Sequence, residues 1–164
     1  MEKKLNKITT NLWFNTEAEE AARHYTSIFP NSSIGKVIRY GKERHEIEPL
    51  TEGDIMTVHF ILDGHEFVAL NGGPQFKFTE AISFIVNCDS QDEIDFYWEK
   101  LSEGGDEKAQ VCGWLKDKYG VSWQIVPSSL NEMLTDPVKS EKVMKALLQM
   151  KKIDMNVLKE VFED

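Results

Sequence analysis

Cysteine, histidine and proline are scarce in this chain, and none of its apolar runs is long. Two cysteines among 164 residues, Cys88 and Cys112, without a CxxC spacing, rule out a disulfide framework and read as ordinary buried thiols of a reducing compartment. Basic residues are outnumbered 28 to 19, a formal charge of -9, and a field of that sign repels phosphate backbones and anionic bilayers, which argues against nucleic acid as a partner. No window approaches the roughly 20 apolar residues of a membrane-spanning helix, so no membrane partner is expected. The charged opening, residues 1–7, leads into Ile8-Thr9-Thr10-Asn11 rather than an apolar signal core, and a cytoplasmic location is expected. What the chain does have is a hydrophobic fraction of 41%, enough for the core of one ordinary domain without metal or disulfide staples.

Residues 8–15 alternate Leu12 and Phe14 with Asn11, Trp13 and Asn15, the period of a strand. Thr16 with Glu19 three residues on reads as a capping box, and Ala18, Ala21, Ala22, Tyr25, Ile28 and Phe29 form the stripe of a helix that stops at Pro30-Asn31. A strand follows over 33–40, then a charged loop over 41–53. Residues 54–62 and 65–71 have strand composition and are joined by Asp63-Gly64, the dipeptide that best accepts the positive φ angles of a type I′ hairpin. After the Asn71-Gly72-Gly73-Pro74 break, the order recurs. A strand over 81–86 precedes a helix over 90–101 that buries Ile94, Tyr97, Trp98 and Leu101 and ends at Gly104-Gly105, and two strands over 111–116 and 121–126 are joined through Asp117-Lys118-Tyr119-Gly120.

An offset of 72 lays Leu12 on Phe84, Phe14 on Val86, Asn15 on Asn87, Tyr25 on Tyr97 and Phe29 on Leu101. A strand-helix-strands unit that occurs twice points to duplication, each copy too small to close a core alone. The expected fold class is α+β, two βαβββ-type repeats forming a curved mixed sheet around a cavity, with helices after them. The expected boundaries are a domain over 1–130, its repeats at about 8–72 and 80–127, and a helical extension over 131–164. In that extension Asp136-Pro137 supplies a cap, Val143, Met144, Leu147, Leu148 and Met150 make an apolar stripe, and Asp154 starts a last helix through Leu158 and Phe162.

Three segments carry a resemblance: Leu12-Trp13-Phe14-Asn15 with Ala18-Glu19-Glu20-Ala21-Ala22 and Tyr25; residues 70–76, Leu-Asn-Gly-Gly-Pro-Gln-Phe; and residues 112–127, from Cys112-Gly113-Trp114 to Pro127. Together, across about residues 8–152, they resemble PhnB-like proteins of the vicinal oxygen chelate (glyoxalase/bleomycin-resistance/dioxygenase) superfamily, often labelled 3-demethylubiquinone-9 3-methyltransferase. The label implies an activity that this sequence does not support. A nucleotide-type cofactor needs a glycine-rich turn from strand into helix, and Gly72-Gly73-Pro74 leads instead into Phe76-Lys77-Phe78.

The resemblance also implies where a divalent metal would be held: by strand register, at Thr9, at Ala69 or Asn71, at Ala81 and at Gln124. Of these only Gln124 is an ordinary ligand, so no metal and no cofactor is expected. His24 falls on the first helix, His45 in the charged loop, and the two-residue turn sets His65 opposite Leu62 and His59 opposite Val68, which pairs no two histidines. Cys112 reads as structural, and the acidic Glu17, Glu19 and Glu20 suit a helix N-terminus.

What remains is a cavity. Alternation that turns Leu12 and Phe14 to the helices turns Thr9, Asn11 and Trp13 the other way, and likewise Ala81, Ser83 and Ile85, then Ser122 and Gln124. Asn11, Trp13, Ser83, Ser122 and Gln124 are the candidate ligand contacts, one aromatic among small polar groups. A barrel filled by its own tryptophans is the alternative. The function read from this is small-molecule binding with a degraded metal site and no assignable reaction. A metal-dependent lyase, isomerase or dioxygenase of the glyoxalase class, or an interaction module acting through the C-terminal helices, stay open beside it. A homodimer is expected, the resemblance and the apolar stripe of the tail both favouring it.

Overall fold

The computed structural model describes residues 6–42 and 49–163. The middle of the charged loop expected over 41–53, with His45, lies outside the described residues. The chain divides into two compact units, residues 1–77 and 78–164.

In the first unit β1 (Thr10–Phe14), α1 (Ala18–Ile28), β2 (Ser33–Arg39), β3 (Ile55–Leu62) and β4 (His65–Asn71) make a four-stranded sheet in the order β1-β4-β3-β2. β1 runs parallel to β4 and the other pairs are antiparallel. The hairpin between β3 and β4 has the expected turn, with positive φ at both Asp63 (46°) and Gly64 (78°), and it sets Leu62 opposite His65 and His59 opposite Val68. Leu12, Phe14, Val58, Phe60, Leu62, Phe67 and Ala69 are buried on the face that meets α1, whose inward stripe is Ala18, Ala21, Ala22, Tyr25 and Ile28.

The start of α1 differs from expectation. Glu17 occupies the cap position, its carboxylate accepting from the Thr16 N–H at 2.8 Å and not from the helix, and Glu19 pairs with Arg23 one turn on, at 2.7 Å, instead of closing a capping box. The cap comes from another strand: Asn71 Oδ1 accepts the Ala18 N–H at 2.8 Å, while its Nδ2 donates to the Ile55 carbonyl at 3.0 Å. A local pattern hid this because the capping group is 53 residues away in sequence.

In the second unit β5 (Ser83–Cys88), α2 (Gln91–Ser102), a 3₁₀ turn at Glu107–Ala109, β6 (Trp114–Lys116) and β7 (Ser122–Pro127) give a sheet ordered β5-β7-β6. β5 is parallel to β7, as β1 is to β4, and β6 is antiparallel. The α+β reading holds; where one curved mixed sheet was expected there are two mixed sheets, both open, and the second copy has three strands where the first has four. Ser90 caps α2, its hydroxyl accepting from the Glu93 N–H, and Ile94 and Leu101 are fully buried.

The strand expected to begin at 111 begins at Trp114, because Cys112 (φ 53°) and Gly113 (φ 83°) form a tight left-handed turn. Their N–H groups are taken by the Met150 and Lys151 carbonyls, both at 2.8 Å, so the tail holds the turn. That tail is α3 (Leu130–Thr135), α4 (Ser140–Leu147) and α5 (Met155–Glu163). Val126, Leu130, Met133, Val143, Leu147, Ile153 and Leu158 form one buried cluster. Val143, Leu147 and the partly buried Met150 of the apolar stripe therefore pack within their own unit, whereas Met144 and Leu148 are exposed.

Candidate functional site

Each sheet has one face toward its helix and one away from it. On the first, the outward face is read from the register in rows: Asn11 beside Val68 beside His59, and Trp13 beside Leu70 beside Thr57 beside Ile38. Asn11 is exposed and Trp13 half-buried. The indole does not project freely. Its Nε1 donates to the Gly73 carbonyl at 3.0 Å, the Phe76 ring meets it edge-on with centroids 4.9 Å apart, and a Cβ placed on Gly72 would fall 2.2 Å from its Cζ2. The Gly72-Gly73 turn is thus the seat of Trp13, a signal the sequence carried only as a chain break.

On the second sheet Ser83 pairs with Ser122, Ile85 with Gln124, and Trp114 and Lys116 flank Gln124 and Ser122. Gln124 Nε2 donates to Ser83 Oγ at 2.8 Å, so these two candidates are joined directly. Ser122 is 2% exposed, and among the described residues its hydroxyl meets no hydrogen-bond partner, as is also true of Thr57 on the first sheet. Leaving a buried hydroxyl unmatched costs on the order of 1–3 kcal/mol. Lys116 is bonded to Glu80, and this bond holds the Glu80 carboxyl below its ordinary range.

The buried carboxylate of this unit was missed from sequence, where Asp117 reads as a turn residue. Asp117 is 3% exposed. Its Oδ1 accepts from the Tyr119 and Val121 N–H groups at 2.9 and 3.0 Å, and its Oδ2 from Trp123 Nε1 at 2.9 Å. It fastens the β6–β7 connection to the core and leaves little of its charge for chemistry.

The residues at the implied metal positions do not suit a metal. Ala69 and Asn71 lie on the helix-covered face, opposite to the one that carries Trp13, which corrects the register assigned to them. Both ends of the Asn71 amide are engaged in holding α1 and Ile55. Thr9 and Ala81 are exposed, with a hydroxyl and a methyl, and the Gln124 amide is bonded to Ser83. Among the described residues no three His, Cys, Asp or Glu side chains converge. His24 stacks obliquely near Tyr25, and His59 and His65 are exposed on different strands. Burial first, then the nearby Glu93 and Asp89, push the Cys88 thiol up to about 12, so it is no nucleophile at neutral pH.

Residues 6–126 match the family model described as 3-demethylubiquinone-9 3-methyltransferase. The chain belongs to that family. Among solved structures it is similar to the PhnB protein of Bacillus cereus, at 37% identity over 74% of this chain and 99% of that one, with a TM-score of 0.64. Protein PA1353 of Pseudomonas aeruginosa, at 20% identity over 75% and 98% of the two chains and a TM-score of 0.57, shares the fold. No curated protein matches the sequence. It is PhnB-like. Among the described residues no helix is long and apolar enough to cross a membrane.

Proposed function

We propose that the chain is a PhnB-like small-molecule-binding protein that works as a cytoplasmic homodimer. Its ligand contacts are Asn11 and Trp13 on the first sheet and Ser83, Ser122 and Gln124 on the second. Residues 1–130 are read as the binding domain and 131–164 as an extension whose side chains complete the second unit's core. The observation that carries the reading is the Gln124–Ser83 hydrogen bond. This polar pair on the sheet face away from α2 suits an oxygen- or nitrogen-bearing ligand, while the Ser122 hydroxyl on β7 is buried behind it.

No reaction is assigned. The methyl-transfer label of the family finds no support here: Gly72 is covered by the Trp13 ring, the Gly73 carbonyl accepts from its indole N–H, and residues 74–82 continue without the helix a nucleotide-type cofactor needs.

A fragment screen by protein-observed NMR tests the reading. Hits are expected to shift the Gln124 side-chain amide or the Trp13 indole N–H, and Gln124→Ala to remove those at the second sheet. Hits confined to other surfaces, or unaffected by that change, would sink it. Light scattering at micromolar concentration tests the dimer, and a monomer there refutes it.

A further inference from the structure

We propose that the outward face of the second sheet takes a small carboxylate with an apolar body, held by Lys116, and that the Glu80 carboxylate is its internal stand-in. Ser83 and Gln124 keep here the binding role proposed for them above, on which this ligand class rests. The register lays the face out in two rows. Ser83, Ser122 and Lys116 stand side by side on β5, β7 and β6, and Ile85, Gln124 and Trp114 stand side by side in the next row. With strands about 4.8 Å apart, each row is about as wide as a small aromatic acid is long.

The first row is a row of donors. Ser83 Oγ accepts from Gln124 Nε2 at 2.8 Å, which leaves its own O–H to give. The Ser122 hydroxyl, closed from solvent between Ser83 and Lys116, has no partner among the described residues, and a ligand oxygen entering the row supplies one. The Lys116 ammonium has three donors and spends at least one on Glu80. That bond shows that the position accepts a carboxylate. The Glu80 side chain is 61% exposed and belongs to a stretch, residues 74–82, without helix or strand, so the pair is of the weak, exchangeable kind. A ligand carboxylate takes over the ammonium and releases Glu80 to water.

The second row supplies the apolar contact. Ile85 is exposed and Trp114 half-buried on either side of Gln124, a surface suited to a flat or aliphatic body attached to the acid. The chain's charge of -9 opposes an anion at long range, but physiological salt screens that field within about 8 Å, and the ammonium in contact decides.

Benzoate, benzyl alcohol and benzylamine are probes of one shape and three charges. Each is titrated into the full chain at neutral pH and read from the Gln124 side-chain amide and the Trp114 indole N–H. Benzoate is expected to bind about tenfold more tightly than benzyl alcohol, the equivalent of one charge-assisted hydrogen bond, and benzylamine most weakly. Glu80→Gln removes the internal competitor and raises benzoate affinity about threefold, within the worth of an exposed ion pair. Lys116→Gln abolishes the preference for benzoate, and Lys142→Gln, an equal charge change on exposed α4, leaves it. Equal binding of benzoate and benzyl alcohol at Gln124, or no gain from Glu80→Gln, overturns the carboxylate assignment and leaves the binding role standing. No shift with any of the three probes also overturns it, while the binding role is then judged by the wider fragment screen and its Gln124→Ala control.

Discussion

The indole of Trp13 lies directly on the backbone of Gly72, so closely that a methyl group there would come within 2.3 Å of two ring atoms. Gly72→Ala must therefore lift the ring, break its hydrogen bond to Gly73 and disturb the Phe76 contact. A loss of about 1–3 kcal/mol is expected, the usual cost of overpacking, with a red shift of tryptophan emission as the indole is wetted. In a Trp13→Ala background the same glycine change should cost much less. Full additivity of the two changes would show that the clash is not the cause.

Asp117 makes a second testable fixture. Replacing it with Asn leaves one oxygen where the carboxylate used two, and turns an NH₂ group toward either the Trp123 N–H or the two backbone N–H groups. The expected cost is about 2–4 kcal/mol, given that hydrogen bonds to a charged acceptor contribute about 1.5–3 each. Urea unfolding measures it. A double-mutant cycle with Trp123→Phe should return a coupling above about 1 kcal/mol, and a coupling near zero would deny the bond its role.

Much of the fold was legible in the sequence, and the reasons divide cleanly. Period-2 alternation in residues 10–14 placed Leu12 and Phe14 under α1, and Asp63-Gly64 fixed the β3–β4 register to the residue, because a two-residue turn admits one pairing. What escaped depended on contacts distant in the chain. The α1 cap is Asn71, not Thr16; Cys112 is in a turn, not a strand, because Met150 and Lys151 bind its amide and that of Gly113. The candidate contacts were legible only as faces. Alternation put Asn11 and Trp13 away from α1, but it carried no sign that Ser122 would be closed from solvent. Ala69 and Asn71, placed by strand register beside Thr9 in the expected metal set, lie on the other face, because the parallel pairing of β4 with β1 sets them beside Leu12 and Phe14.

The tail is expected to be indispensable to the second unit, beyond any part in assembly. Gln91 at the start of α2 donates to the Ile153 carbonyl and accepts from the Met155 N–H, at 3.1 and 2.8 Å, while Asp95 pairs with Lys152 at 2.6 Å. A chain ending after Leu130 loses these ties and the side chains of Met133, Val143, Leu147, Ile153 and Leu158 from its core, each worth about 2 kcal/mol or more on burial. It should lose its near-ultraviolet circular dichroism and cooperative unfolding. A truncated chain that still unfolds cooperatively near the original midpoint would reduce the tail to an appendage. For assembly the informative change is Met144→Lys with Leu148→Lys, since both positions are exposed: it should convert a tail-mediated dimer to monomer while leaving the fold intact.

The two cysteines should separate in both reactivity and pH dependence. Cys88 is fully buried and its thiol is raised from about 9 to about 12, by burial above all. Between those values the unfolded chain gives up the proton and the folded chain keeps it. The contribution of Cys88 is therefore complete below about pH 9 and is lost as the pH climbs toward 12, at a limiting slope of about 1.4 kcal/mol per pH unit. Unfolding free energy measured by urea at pH 8, 9.5 and 10.5 should fall more steeply in the native sequence than in Cys88→Ala, whose absolute stability is lower because of the cavity. Cys112→Ala should keep the native slope. A thiol reagent at pH 8 is expected to label half-buried Cys112 first and Cys88 only on the timescale of unfolding. Equal alkaline slopes in the two variants, with simultaneous labelling of both thiols, would place Cys88 in contact with solvent and refute the assignment.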